Sequence, residues 1–209
     1  MMEQVRVTVW NENVHDRSDD KVKEIYPEGL HGAIAQALRA DEKQRFAVVT
    51  ATLDQPEQGL PDDLLARTDV LFWWGHCAHN QVEDQLVERI YNRVMDGMGL
   101  VVLHSGHYSK IFRKLMGTGC RSRWRESDDR ERLFVVEPGH PLASGLPEYF
   151  ELPGEETYGE RFNIPTPDVL ALISWFSGGG LDGPQRRTQT CIRKICCAGK
   201  PVRGKEDLL

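Results

Sequence analysis

Two short apolar runs, Val70-Leu-Phe-Trp-Trp74 and Gly99-Leu-Val-Val-Leu103, enclose a stretch in which Val82, Leu86, Val87, Ile90 and Val94 recur at helical spacing. A run of this length without polar alternation is buried on both faces, as a strand is inside a helix-covered parallel sheet. Two parallel strands need a crossover, and an amphipathic helix supplies one. Together these segments restrict the chain to an α/β architecture. The rest of the N-terminal part repeats the alternation. Val5–Trp10 and Phe46–Leu53 read as strands rich in β-formers. Leu30, Ile34, Ala37 and Leu38 share one helical face, and Pro61–Arg67 opens with Pro and acids as a short helix does. Asn80 is expected to cap the long helix, which Gly97 and Gly99 end, and Ser109–Met116 is a further helix. Over roughly the first 120 residues this predicts a doubly wound, mostly parallel sheet with helices on both faces. Beyond it, Leu133–Val136 and Val169–Phe176 read as strands, and Glu151–Phe162 as an irregular acid-rich loop.

Composition narrows the function. The 209-residue chain carries a net charge of −6, which gives nucleic acid no electrostatic footing. No apolar run approaches the ~20 residues of a membrane span. The sequence enters its first strand almost at once, and its five cysteines form no spaced framework. The expectation is a reduced, cytoplasmic protein without a leader.

Both apolar runs stop at a Gly/His cluster, Gly75-His-Cys-Ala-His79 and His104-Ser-Gly-His-Tyr108. In an open α/β sheet, ligands bind beyond the carboxyl ends of the strands. Four of the seven histidines therefore fall where chemistry is expected. Imidazoles with a carboxylate can hold zinc with one position open, which makes His76, His104 and His107 candidate ligands of a divalent metal. Ser105 lies in a strand-to-helix turn beside Gly106, as a nucleophile elbow would place it, although only one glycine of the G-x-S-x-G pattern is present. Ser105 with a histidine base, Ser105 as a mere turn former, and His104 as the reactive group stay open at this point. Glu155-Glu-Thr-Tyr-Gly159 offers Glu156 as a general acid or base, with Glu155 and Tyr158 as binding groups. Asn11, Gly75 and Tyr108 are further substrate-binding candidates at strand ends. Of Trp73 and Trp74, one should face the core and the other the opposite layer. Cys77 lacks a nucleophile's surroundings.

These motifs also resemble a known family. Val9-Trp-Asn-Glu12, Trp73-Trp-Gly-His76, Val102-Leu-His-Ser-Gly-His-Tyr-Ser109, Lys114-Leu-Met-Gly117, Gly139-His-Pro141, Glu155-Glu-Thr-Tyr-Gly-Glu160 and Ile173-Ser-Trp-Phe176 are similar, in order, to the trehalose-utilisation (ThuA-like) proteins. The resemblance implies a flavodoxin-like, class I glutamine amidotransferase-like fold and a role in disaccharide or keto-sugar catabolism. Amidotransferases carry a Cys at the elbow that here reads His104-Ser105-Gly106, so glutamine hydrolysis is not expected. A small sugar is the expected partner, and a homo-oligomer is the common state of such enzymes. A Ser-nucleophile hydrolase and a non-catalytic binding or accessory protein are the alternatives.

The resemblance runs from Val5 to Gly179. Residues 180–209 differ, with seven Lys/Arg against three Asp/Glu and three of the five cysteines. The chain is therefore read as one domain over 1–179 and an atypical basic tail over 180–209. That tail is expected to be frameshifted and disordered, leaving the family's C-terminal strand missing.

Overall fold

The computed structural model describes residues 4–159 and 162–179. The expectations for residues 180–209, the missing last strand included, lie outside these. The chain divides into two compact units, one ending at Gly117 and the other beginning at Thr118.

The first unit holds a parallel sheet of β1 (Val5–Asn11), β2 (Phe46–Thr52), β3 (Val70–Trp74) and β4 (Gly99–Leu103), in the order β2-β1-β3-β4. This is the flavodoxin-like order, with the switch point between β1 and β3. Central β1 is buried from Val7 to Asn11, so even Thr8 needs a partner, and its hydroxyl meets that of Thr68 at 2.8 Å. Trp10 and Trp73 are register partners on β1 and β3. Their rings stack at 3.8 Å and anchor the core with Leu60, Leu71, Leu86, Ile90 and Ile111.

Flanking this sheet are α1 (His15–Ser18), α2 (Asp20–Ile25), α3 (Gly29–Arg39), α4 (Asp62–Arg67), α5 (Asp84–Met95) and α6 (Lys110–Met116). The helical face read from the sequence is the one α5 buries, through Leu86, Val87, Ile90 and Val94. Its start is corrected. Residues 79–81 make a separate 3₁₀ turn and Val82 is extended, so the helix begins at Asp84 and Asn80 caps nothing. Ser109 does cap α6, its hydroxyl accepting from the Phe112 N–H, and Gly117 ends that helix at φ +67°.

The second unit is an antiparallel sheet of β5 (Arg123–Val135), β6 (Tyr149–Gly159) and β7 (Leu172–Phe176), in the order β6-β5-β7. Here the sequence misled. Within the stretch expected to be an irregular loop, residues 151–159 belong to strand β6, which carries Pro153 because it is an edge strand, where a missing N–H costs no ladder bond. The register with β5 shifts on either side of Asp129, which absorbs the Pro153-Gly154 interruption. Among the described residues no helix is long and apolar enough to cross a membrane.

Candidate functional site

Three segments meet at the carboxyl end of the parallel sheet: Glu12 after β1, Gly75–His79 after β3, and the 3₁₀ turn His104–Tyr108 after β4. Gly75 and Gly106 let them close. A Cβ on Gly106 would sit 3.2 Å from the Trp73 carbonyl oxygen, and one on Gly75 would sit 3.1 Å from the His79 ring.

Glu12 fills the switch point. It is 1% exposed, and its carboxylate accepts three backbone N–H bonds, from His76 and Cys77 at 2.7 Å and from Ala78 at 3.0 Å. Burial raises its pKa, but these bonds and one from the Cys77 thiol outweigh burial and hold the carboxyl below the ordinary glutamate value. The same contact works in reverse on Cys77, where burial and the neighbouring carboxylate push the thiol up to about 11. Cys77 is thus a protonated thiol at neutral pH, in keeping with its lack of a nucleophile's surroundings in the sequence.

His104 is the strained residue of the β4 turn. It is exposed and held at φ +42°, a conformation that non-glycine residues seldom adopt. An elbow turn stores its strain at the residue it presents, so this geometry presents His104 and leaves Ser105 as the next residue. Ser105 Oγ lies 3.0 Å from both the Gly75 carbonyl oxygen and His76 Nδ1. The carbonyl can only accept, so the single hydroxyl proton is spent there and His76 Nδ1 donates to Oγ. That tautomer makes Nε2 the basic nitrogen of His76. The His76 ring stacks on His15 at 4.7 Å and lies nearly parallel to Trp74 at 6.2 Å, while His104 tilts against Trp74 at 5.8 Å. Trp74 is half-buried beside the two exposed imidazoles, whereas Trp73 lies in the core. His79 is half-buried, and burial lowers its pKa despite Glu12, so it is neutral at pH 7. Its ring meets Tyr108 edge-on at 6.0 Å, and the Arg113 guanidinium lies 4.8 Å over the Tyr108 ring.

Asn11 is fully buried. Its amide donates to Asp16 at 2.6 Å and to His31 Nδ1 at 3.0 Å, and its oxygen accepts from the Asn13 N–H, so it braces α1 and α3. Glu155, Glu156 and Tyr158 belong to the second unit, where Tyr158 donates to the Glu156 carboxylate. For a zinc ion, His76, His104 and His107 would have to converge. Among the described residues no three His, Cys, Asp or Glu side chains are grouped to hold an ion, and His76 Nδ1 is engaged by Ser105.

Glu12 and His15 escaped the candidate residues read from the sequence. Glu12 stands there only as the last residue of Val9-Trp-Asn-Glu12. A lone carboxylate directly after the apolar end of a central strand is the signal that points to it.

The family model for ThuA, described as trehalose utilisation, matches residues 6–190. Two solved structures of proteins described as ThuA-like share the fold. One, from Bacteroides uniformis, is 13% identical with a TM-score of 0.57, covering 83% of this chain and 69% of that one. The other, from Parabacteroides merdae, is 11% identical with a TM-score of 0.54, covering 82% and 68%. Among curated proteins nothing matches.

Proposed function

Because the chain belongs to the ThuA, or trehalose-utilisation, family, we propose that it acts on small neutral disaccharides or keto-sugars at the strand-end cluster of its first unit. His76 and His104 move the protons. One observation carries this reading: two exposed imidazoles lie beside the half-buried Trp74, one with its tautomer set through Ser105 and the other strained at the turn. An indole face accommodates the apolar side of a sugar ring, and imidazoles beside it reach its hydroxyls or carbonyl. His76 Nε2 serves as base and His104 as its acidic counterpart. Tyr108, with its ring under Arg113, offers a hydroxyl at the rim. Thiolate chemistry has no part, since Cys77 stays protonated.

The alternative, Ser105 as a covalent nucleophile, draws on its 3.0 Å contact with His76. It would require Oγ to surrender its bond to the Gly75 carbonyl. The two readings separate on one experiment: turnover of neutral disaccharides and keto-sugars by the wild type and by His76→Ala, His104→Ala and Ser105→Ala. In the proposed mechanism both histidine variants are inactive and Ser105→Ala retains activity, lowered about tenfold by loss of the tautomer lock. A loss on the order of 10³-fold or more in Ser105→Ala, with fluorophosphonate labelling of wild-type Ser105, would instead establish the nucleophile. Sugar binding without turnover by the wild type would assign an accessory role.

A further inference from the structure

Open α/β sheets leave a crevice at the switch point, and backbone N–H groups pointing into such a crevice make an anion site. Here the crevice between the ends of β1 and β3 is lined by the consecutive N–H groups of His76, Cys77 and Ala78, and all three point at one carboxylate. That carboxylate belongs to Glu12 and is shielded from solvent. Its two oxygens are shared out, Oε1 to Cys77 and Oε2 to His76 and Ala78. The segment held this way includes His76, whose ring faces Trp74, His15 and Ser105. The negative charge is therefore fixed against the backbone of the loop that carries the His76 imidazole.

We infer that residues 76–78 form an anion-binding nest whose occupant is the chain's own Glu12, and that this built-in anion restricts the adjoining site to uncharged, unphosphorylated carbohydrate. The nest stands on geometry alone, whereas the restriction rests on the carbohydrate reading above. A substrate phosphate finds the three N–H donors taken and meets a buried negative charge. In a partly desolvated site that charge disfavours a second anion on the order of tenfold per unit charge. Glu12 is a positioning residue: it touches the loop that carries His76 and does not touch the substrate.

Removing the carboxylate should leave a vacant nest that a small carboxylate can enter. The test is thermal unfolding of the wild type and of Glu12→Ala in sodium formate, against sodium chloride at equal ionic strength. Formate should raise the melting temperature of Glu12→Ala saturably and leave the wild type at its chloride value. If Glu12→Ala is folded and formate does no more than chloride, the nest is refuted. Should that variant not fold, its refolding yield in formate against chloride decides the same question, with equal yields refuting the nest.

A second arm measures binding of trehalose and trehalose 6-phosphate by calorimetry. Wild type should favour the neutral sugar about tenfold or more, and Glu12→Gln, which keeps the side-chain volume, should narrow that ratio. Equal ratios in the two proteins would overturn the restriction. If neither sugar binds wild type, the carbohydrate reading fails and takes the restriction with it, while the formate result still decides the nest.

Discussion

Each unit of this protein secures a carboxylate below its ordinary pKa, and each does so with different groups. In the parallel unit Glu12 is held by main-chain N–H donors of one loop. In the antiparallel unit Asp129 is held by side chains: Thr157 at 2.5 Å, Arg125 at 3.1 Å, Ser177 at 3.2 Å, and Ser127. A main-chain cage ties the carboxylate to the path of the backbone, so its loss shifts a loop. A side-chain cage can re-form around a substitute. The tryptophans divide the same way. Trp10 and Trp73 are stacked and 0–1% exposed in the first unit, while Trp124 and Trp175 of the second are 56% and 44% exposed.

The sharpest way to break this contrast is through the indoles. Trp73→Ala should destabilise the protein by about 3–5 kcal/mol, the cost of an aromatic deletion in a core that cannot collapse around it. Trp175→Ala should cost less than about 1 kcal/mol, as an exposed truncation does. Urea unfolding of both variants measures the difference. Equal losses would mean that the second sheet buries its tryptophans against something else.

The carboxylates come next. Glu12→Gln must turn an amide NH₂ toward one of three N–H donors, which should cost about 2–3 kcal/mol, the range for hydrogen bonds to a charged group. Asp129→Asn should cost about 1–2 kcal/mol, because hydroxyl donors can rotate to become acceptors. The pH dependence has a definite sign. Both carboxyls titrate lower in the folded chain than unfolded. Their contribution is therefore complete above the ordinary carboxylate range and is lost as pH falls through that range toward the folded values. Melting temperatures measured from pH 7 downward should fall in the wild type, and each amide variant should fall less steeply. A wild type and Glu12→Gln with parallel acid profiles would show that Glu12 does not titrate as described.

What the sequence revealed follows the same division. The strands β3 and β4 and the loops beyond them were legible as uninterrupted apolar runs that end in Gly/His clusters, although only Leu71, Trp73 and Leu100 of these strands are buried and Val101 is exposed. The 3₁₀ turn at residues 79–81 was not, since Asn80 suits a cap and nothing local forbids one. Strand β6 was hidden because an edge strand tolerates acids, Pro153 and a shifting register, which in sequence are the marks of a loop. Glu12 was hidden for a different reason. Its partners are backbone groups more than sixty residues away, and main-chain donors leave no trace in residue identity.

The smallest expected effect bears on where the first unit stores strain. His104 sits at φ +42° while the residues bracketing its turn, Leu103 and Ser109, are extended. Glycine meets that φ without a Cβ clash but brings a more flexible unfolded chain. His104→Gly should therefore leave stability unchanged or raise it by about 1 kcal/mol, while removing turnover. Urea unfolding and the sugar assay on the same preparation test both halves. A clear loss of stability would mean that the His104 ring packs against Trp74 as structure, with the strain incidental. A stable but inactive variant would place the strain where a functional side chain is held against the preference of its own backbone.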